Sequence, residues 1–311
     1  MELPGGIRRI TLPLPTRPGH VHAYLLPGAD GWTLVDTGIG TPDAAERWAE
    51  ELGGVEGPLA RVVITHFHPD HVGAAADVHE LSGAPVLQGA LDYAQCELVW
   101  GNPNWPHRIQ EWFQRHGVPD HVTEELVEQG SVYRPFIRYQ PDPTLVVAGD
   151  LVDGWELVAA PGHADGQLVL LRDGILVAAD HLLGTISPTV GLWPASRPDP
   201  LGDYLGALER TIELAPEFAL PGHGEPVTDP VGRARELIEH HRERLAAAEA
   251  ALMPEPQSGY ELSFALFGGE LKPAARRFAV AETLSHLERL VLEGRAARGE
   301  DDGTVAYTAA Q

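Results

Sequence analysis

The chain is predicted to be a layered α/β protein, on three observations. Between residues 10 and 87, short apolar strands and helices follow one another in the order β-β-β-α-β-α-β, the pattern of sheets covered by helices. Four strands along the chain run directly into loops carrying His or Asp, and strand-end loops are where α/β proteins place their chemistry. The chain has 311 residues, 43% of them hydrophobic, enough to bury one large domain or two unequal ones.

Residues 10–14 and 21–26 read as strands, the second ending at Pro27-Gly28. A third strand, 32–35, closes at Asp36-Thr37-Gly38. Thr41-Pro42 then reads as an N-cap with proline in the first turn of a helix over 43–52. His20 and His22 stand alone on or beside a strand and read as structural residues. Strand 61–64 leads into Thr65-His66-Phe67-His68-Pro69-Asp70-His71-Val72-Gly73. A helix over 74–81 follows, ending at Gly83, a residue suited to the left-handed position after a helix. Residues 85–87 form the next short strand.

From 90 to 140 the texture changes. Tyr93, Trp100, Trp105, Trp112, Phe113, Tyr133 and Phe136 crowd a segment of helical character broken at Asn102-Pro103 and Pro119. His107, Arg108, Arg115 and His116 interleave with them. This insertion is read either as a lid over the substrate or as a helical pair packing its aromatics into a satellite core.

Strands resume at 144–148, 155–159, 168–171 and 175–178, with a hairpin turn at Arg172-Asp173-Gly174. Pro161-Gly162-His163 follows the second of these strands and Asp180 the fourth. A helix over 203–214 and a strand over 217–220 lead to Pro221-Gly222-His223-Gly224. The long helix 231–252 carries His240 and His241, read as solvent-facing or packing residues. Beyond a linker at 254–258 come helices over 260–267 and 274–293, the latter with Val280, Leu284, Leu287 and Val291 at helical spacing. A small hairpin around 300–303 completes a winged-helix pattern. The expected division is a main domain over 1–254 and a winged-helix domain over 255–311.

Composition narrows the function. Lys and Arg number 22 against 45 Asp and Glu, a net charge of −23. Such a surface repels phosphate backbones and anionic membranes. The single cysteine, Cys96, excludes an intrachain disulfide and a cysteine-rich zinc site, and reads as a small buried residue. Met1-Glu2-Leu3-Pro4-Gly5-Gly6 has no apolar core of signal-peptide length, and no later run could span a bilayer, so a cytoplasmic protein is expected.

Three histidines and an aspartate fall within six positions after strand 61–64. Imidazoles with a carboxylate suit zinc or iron, whereas calcium and magnesium prefer oxygen ligands throughout. The candidate ligands are His66, His68, Asp70, His71, His163, Asp180 and His223, each just after a strand. Two three-ligand sets sharing a carboxylate would hold two metals about 3.5–4 Å apart.

This set, His66-x-His68-x-Asp70-His71 with His163, Asp180, His223 and the early Asp36-Thr37-Gly38, resembles the metallo-β-lactamase-fold hydrolase superfamily over residues 8–250. The resemblance implies an αββα sandwich with metals at the sheet edges. It implies one metal on His66, His68 and His163, a second on Asp70, His71 and His223, and Asp180 bridging, with Asp36 supporting the ligands from behind. Two divalent ions are the expected cofactors, zinc first, with iron or manganese as alternatives. The C-terminal module and the His241-Arg242 pair before it are similar to the branch containing the lactamase-like protein 2 group, whose relatives include an endoribonuclease.

The expected reaction is hydrolysis by a hydroxide bridging the metals, with Asp70 as the catalytic residue that orients it and passes its proton to the leaving group. A thioester or small ester is the expected substrate. The loop 184–194 after Asp180, with Trp100, Trp105 and Trp193, is the candidate pocket wall. A phosphodiester or RNA end is the alternative, but residues 255–311 carry six basic groups against nine acids, a net charge of −3, the reverse of a nucleic-acid module. That module is read instead as a cap or a homodimer contact. A second alternative is a persulfide dioxygenase with a single iron. The chain departs from glyoxalase II-like thioesterases in reading His181-Leu182-Leu183 after Asp180, where they carry a Thr-Leu-Phe type sequence, and in carrying a winged helix in place of their glutathione-binding helical tail.

Overall fold

The computed structural model describes residues 3–310; Met1 and Glu2, which open the stretch read for a signal peptide, lie outside them. Strands β1 (Arg8–Pro13), β2 (His20–Gly28), β3 (Gly31–Val35), β4 (Leu59–Ile64), β5 (Val86–Gly89) and β6 (Thr144–Val146) form a six-stranded sheet in that order. A second sheet holds β7 (Leu151–Val152), β8 (Trp155–Ala159), β9 (Leu168–Arg172), β10 (Ile175–Ala179) and β11 (Phe218–Pro221), ordered β11-β10-β9-β8-β7. The strand β7 escapes sequence reading because two residues carry no period.

Alternation along the strands builds the layers. Tyr24, Val35 and Val63 of the first sheet meet Trp155, Leu157, Leu170 and Val177 of the second in one core between the sheets. Their neighbours Leu25, Leu34, Val62 and Ile64 turn outward onto Trp48 and Val78. Those two belong to α1 (Ala44–Gly53) and, after the single turn α2 (Pro69–Val72), to α3 (Ala75–Ser82). This is the expected αββα sandwich.

Local chemistry sets most boundaries. The start of α1 differs from expectation: Ala44 donates to the main-chain carbonyl of Thr41 at 2.8 Å, and Asp43 rather than Thr41 precedes the first turn. Gly83 takes the left-handed conformation, φ 70°, and its N–H closes on His79 O at 2.8 Å. Asp173 and Gly174 both have positive φ, 50° and 75°, the two-residue turn that matches strand twist between β9 and β10.

The insertion comprises α4 (Ala90–Cys96), α5 (Trp105–Arg115) and α6 (Asp120–Ser131). Asp199 and Asp229 then cap α7 (Pro200–Leu214) and α8 (Pro230–Ala251), accepting from Gly202 and Gly232 N–H at 2.8 Å each. These caps start the helices earlier than apolar periodicity indicates. After β12 (Gln257–Ser258) come α9 (Gly259–Phe267), α10 (Pro273–Leu292), β13 (Ala296–Asp301) and β14 (Thr304–Ala309), whose strands form a small sheet ordered β12-β14-β13. Trp105, Ile109, Phe113 and Leu126 of the insertion share one core with Leu237 and Leu245 of α8 and Val280, Leu284 and Leu287 of α10. The insertion is thus packed against the C-terminal helices. His241 is buried there, 3.3 Å from His286. No helix among the described residues is long and apolar enough to cross a membrane.

Candidate metal centre

Four strand ends deliver the seven candidate ligands to one edge of the sandwich. From β4 the chain passes through His66 and His68 into α2, which carries Asp70 and His71 on one turn. β8 leads to His163, β10 to Asp180 and β11 to His223. Potential ligand atoms within 4.8 Å of one another group as His66, His68 and His163, as Asp70, His71 and His223, and as His66, His71 and Asp180. Asp180 sits between the first two sets. Its Oδ2 is 3.5 Å from His163 Nε2 and 3.3 Å from His223 Nε2, and its Oδ1 is 3.4 Å from His71 Nε2. His223 Nε2 is also 3.3 Å from Asp70 Oδ2.

The donor atoms fit cations. His66 Nε2, His71 Nε2 and Asp180 Oδ1 are buried without a hydrogen-bond partner, a costly state for polar atoms. His163 Nδ1 donates to Thr189 O at 2.8 Å, which leaves a lone pair on Nε2 facing His68 Nδ1 at 2.9 Å. His223 Nδ1 donates to His20 O at 2.7 Å, and His71 Nδ1 contacts Asp36 Oδ2 at 2.8 Å. Each contact commits one ring nitrogen and aims the other inward, the usual support of a ligand histidine.

Charge divides the cluster. Burial, then the neighbouring imidazoles, depress His66 far below the ordinary histidine value and His68 to about 3. Burial also acts against protonated His71 and His223, but Asp180, Asp36 and Asp70 outweigh it for His71, and Asp180 and Asp70 lift His223 to about 10. Burial would raise Asp180, yet His71 and His223 hold it well below the carboxylate range. The carboxylate side of the cluster therefore calls for positive charge.

Supporting residues surround the ligands, and most of them carry no sequence signal. Asp36, expected behind the ligands, has φ 63° and accepts from Thr65 N and Oγ1 at 2.8 Å each. His20 and His22, read as structural, clamp the loop after β11: His22 Nε2 donates to Gly224 O at 2.8 Å and His20 Nε2 accepts from Gly224 N at 3.0 Å. Asp92 accepts from Phe67 N at 2.8 Å and Gln88 Nε2 at 2.7 Å, fixing the main chain between His66 and His68, and burial lifts its carboxyl to about 7. A Cβ on Gly222 would strike Asp180 Oδ1 and stand 2.9 Å from His71 Cε1. Any larger residue there would displace one of these two candidate ligands or the loop itself.

The three tryptophans belong to or pack against one hydrophobic core but meet different neighbours. Trp100 Nε1 donates to Phe67 O at 2.7 Å and so touches the ligand loop. Trp193 stacks near Trp112 and Phe278, with ring centroids 5.6 and 6.0 Å away. Trp105, expected on the pocket wall, is instead buried in the core shared with α8 and α10, because α5 turns its apolar face to those helices. Cys96 is buried, as its small apolar character indicates.

Residues 16–223 match the family described as the metallo-beta-lactamase superfamily, and residues 245–310 the metallo-beta-lactamase-like C-terminal domain. A probable metallo-hydrolase of Bacillus subtilis is 28% identical over 298 residues, covering 91% of this chain and 92% of the relative. A beta-lactamase-like protein 2 homolog of Drosophila melanogaster is 22% identical over 228 residues, covering 72% of this chain and 65% of its own. A metallo-beta-lactamase family protein from Thermus thermophilus superposes with TM-score 0.85 at 34% identity, covering 99% of each chain. Strand-end ligands, layer order and these likenesses agree: the chain belongs to the metallo-beta-lactamase superfamily and is a metal-dependent hydrolase.

Proposed function

We propose that the chain is a dinuclear-metal hydrolase acting on a thioester or other small ester. The observation that carries this reading is the position of Asp180, shared between His163 on one side and His71 and His223 on the other. On this reading His66, His68 and His163 hold one divalent cation, Asp70, His71 and His223 hold another, and Asp180 serves both. Zinc suits five imidazoles and two carboxylates, with iron or manganese as alternatives. When bound, the cations supply the Lewis acidity that ionises water near neutral pH and polarises a carbonyl.

The chain's own residues orient the parts. Asp36, His20 and Thr189 keep the Nε2 atoms of His71, His223 and His163 inward. Asp70 is the more open carboxylate, with 21% of its side chain exposed against 9% for Asp180. It is therefore the group that would carry a proton to the departing oxygen or sulfur. Phe67, Trp100 and the loop tied to His163 through Thr189 favour an apolar acyl group. The net charge of −23 favours a small molecule over RNA. We read the C-terminal module as a winged-helix-like cap or homodimer contact. The second ligand set, with Asp70 beside His223, favours hydrolysis over single-iron persulfide oxidation.

Metal analysis of protein purified without chelator, then a panel of thioesters, lactones and phosphodiesters, tests the reading. Two metals per chain and thioester or ester turnover are expected. One iron with oxygen uptake on glutathione persulfide, or phosphodiester cleavage alone, would overturn it.

A further inference from the structure

We propose that Arg277 forms an anion-recognising subsite that binds a carboxylate or phosphate on the substrate, remote from the scissile bond. The proposal rests on the hydrolase reading above. Acids outnumber bases 45 to 22 in this chain, so an arginine readily finds a carboxylate. Arg9, Arg61, Arg233, Arg289 and Arg295 each do. Arg277 makes no ion pair or hydrogen bond among the described residues, and its Nε is buried without a partner. Its neighbour Arg276 is engaged by Ser263 Oγ and the Gly268 carbonyl.

The guanidinium is nonetheless held in place. Its Cζ lies 4.7 Å from the Trp193 ring centroid and 5.3 Å from that of Phe278. On α6, Gly130 leaves room for it: a Cβ there would stand 2.8 Å from Nε and 2.9 Å from Cζ. Aromatic rings and a bare stretch of helix thus fix a planar cation and leave its charge unmet. Burial pulls it down to about 10, and no carboxylate opposes that shift. The side chain is half-buried: Nε is enclosed without a partner, while the terminal nitrogens are not among the buried atoms, and an unpaired, partly desolvated cation is costly to keep. Stacking alone does not require that cost, since Arg8 lies 5.1 Å over the Trp32 ring at the surface. A planar fork held this way matches the two oxygens of a carboxylate or phosphate.

Trp193 links this arginine to the metal centre. The loop that ends there gives its Thr189 carbonyl to His163 Nδ1 at 2.8 Å. Leu192 N–H bonds Ala281 O at 2.9 Å, one turn along α10 from Arg277. Thr189 and Trp193 are four residues apart, so their α-carbons lie within about 14 Å. An anion held at Arg277 would belong to a part of the substrate away from the scissile bond, at the end of the acyl chain or of its leaving group.

Calorimetric titration with benzoate, phenyl phosphate and neutral benzyl alcohol tests the subsite. Metal-loaded wild type is compared with Arg277→Met, Arg277→Lys and His68→Ala. One or both anions should bind wild type and His68→Ala, weaken at least tenfold in Arg277→Met, and weaken less in Arg277→Lys; benzyl alcohol should not bind. The tighter anion tells carboxylate from phosphate. Arg277→Met should melt at or above the wild-type temperature, because an unpaired, partly buried charge has been removed. Anion binding that survives Arg277→Met but disappears in His68→Ala would place the anion on the metals and overturn the proposal. Wild type binding neither anion, or both Arg277 variants melting lower with anion affinity unchanged, would overturn it too. Hydrolysis is not the readout, so failure of the ester and thioester panel would be a separate result.

Discussion

Asp36 Oδ2 lies 2.8 Å from His71 Nδ1, while the opposite nitrogen of the same ring lies 3.4 Å from Asp180 Oδ1. The first contact decides which nitrogen His71 offers to the cluster. Asp36→Asn tests this with little backbone disturbance, since asparagine tolerates the φ of 63° found here. An amide can still accept from Thr65, but cannot satisfy Thr65 and His71 as a carboxylate does. Metal affinity should fall about 10–100-fold, the usual effect of removing a ligand's outer partner. Competition with a chromogenic chelator measures it, and unchanged affinity would remove Asp36 from the site.

Gly222→Ala separates metal geometry from folding. The glycine is retained for space, because an added methyl would collide with Asp180 Oδ1 and crowd His71 Cε1. The variant should fold and keep the ligands His66, His68 and His163, yet lose metal from the set holding His71 and His223. Metal analysis should read close to one ion per chain where two are expected of wild type. A full complement in the variant would mean that the loop after β11 yields more readily than the close approach implies.

The candidate ligands are legible in the sequence because each follows a strand, and strands declare themselves by apolar runs bounded by Gly, Pro or Asp. Most of their partners are not. His20 supports His223 across 203 positions, and Thr189 supports His163 through a main-chain carbonyl that any residue would supply. Asp92 carries no sequence signal, and only its contact with Phe67 N, 25 positions away, ties it to the site. Trp105 resembles pocket lining in the sequence because aromatic content does not say which way a helix faces. The face is set by Val280, Leu284 and Leu287, more than 170 positions further on. The start of α1 departs from expectation for a similar reason: a Thr-Pro pair names the turn, but a main-chain carbonyl closes it.

Removing the metals should weaken the fold as well as stop turnover. Cations that bind only the folded cluster stabilise it by mass action, about 2.7 kcal/mol when free metal exceeds Kd by 100-fold. The unpartnered His66 Nε2, His71 Nε2 and Asp180 Oδ1 would remain without that compensation. Chelated protein should melt several degrees lower, and zinc, iron or manganese should restore the melting temperature. Calorimetry before and after chelation checks this. An unchanged melting temperature on chelation, in protein shown to have held two metals, would contradict it.

A carboxyl outside the metal centre should set part of the pH dependence of stability. Glu282 on α10 is 8% exposed, and burial lifts it from the ordinary 4.5 to about 7, with Arg244 only partly opposing the shift. Between those values the folded protein keeps a proton that the unfolded chain has released. The protonated carboxyl's contribution is therefore fully present below pH 4.5 and lost as pH rises to 7, to the extent of about 3 kcal/mol. Glu282→Gln keeps the shape and cannot ionise. Its melting temperature should match wild type near pH 5, rise progressively above it towards pH 7, and hold a constant lead beyond. A difference that stays the same from pH 5 to pH 8 would show that Glu282 is already ionised in the folded protein at pH 5, as it is in the unfolded chain, and that burial does not raise it.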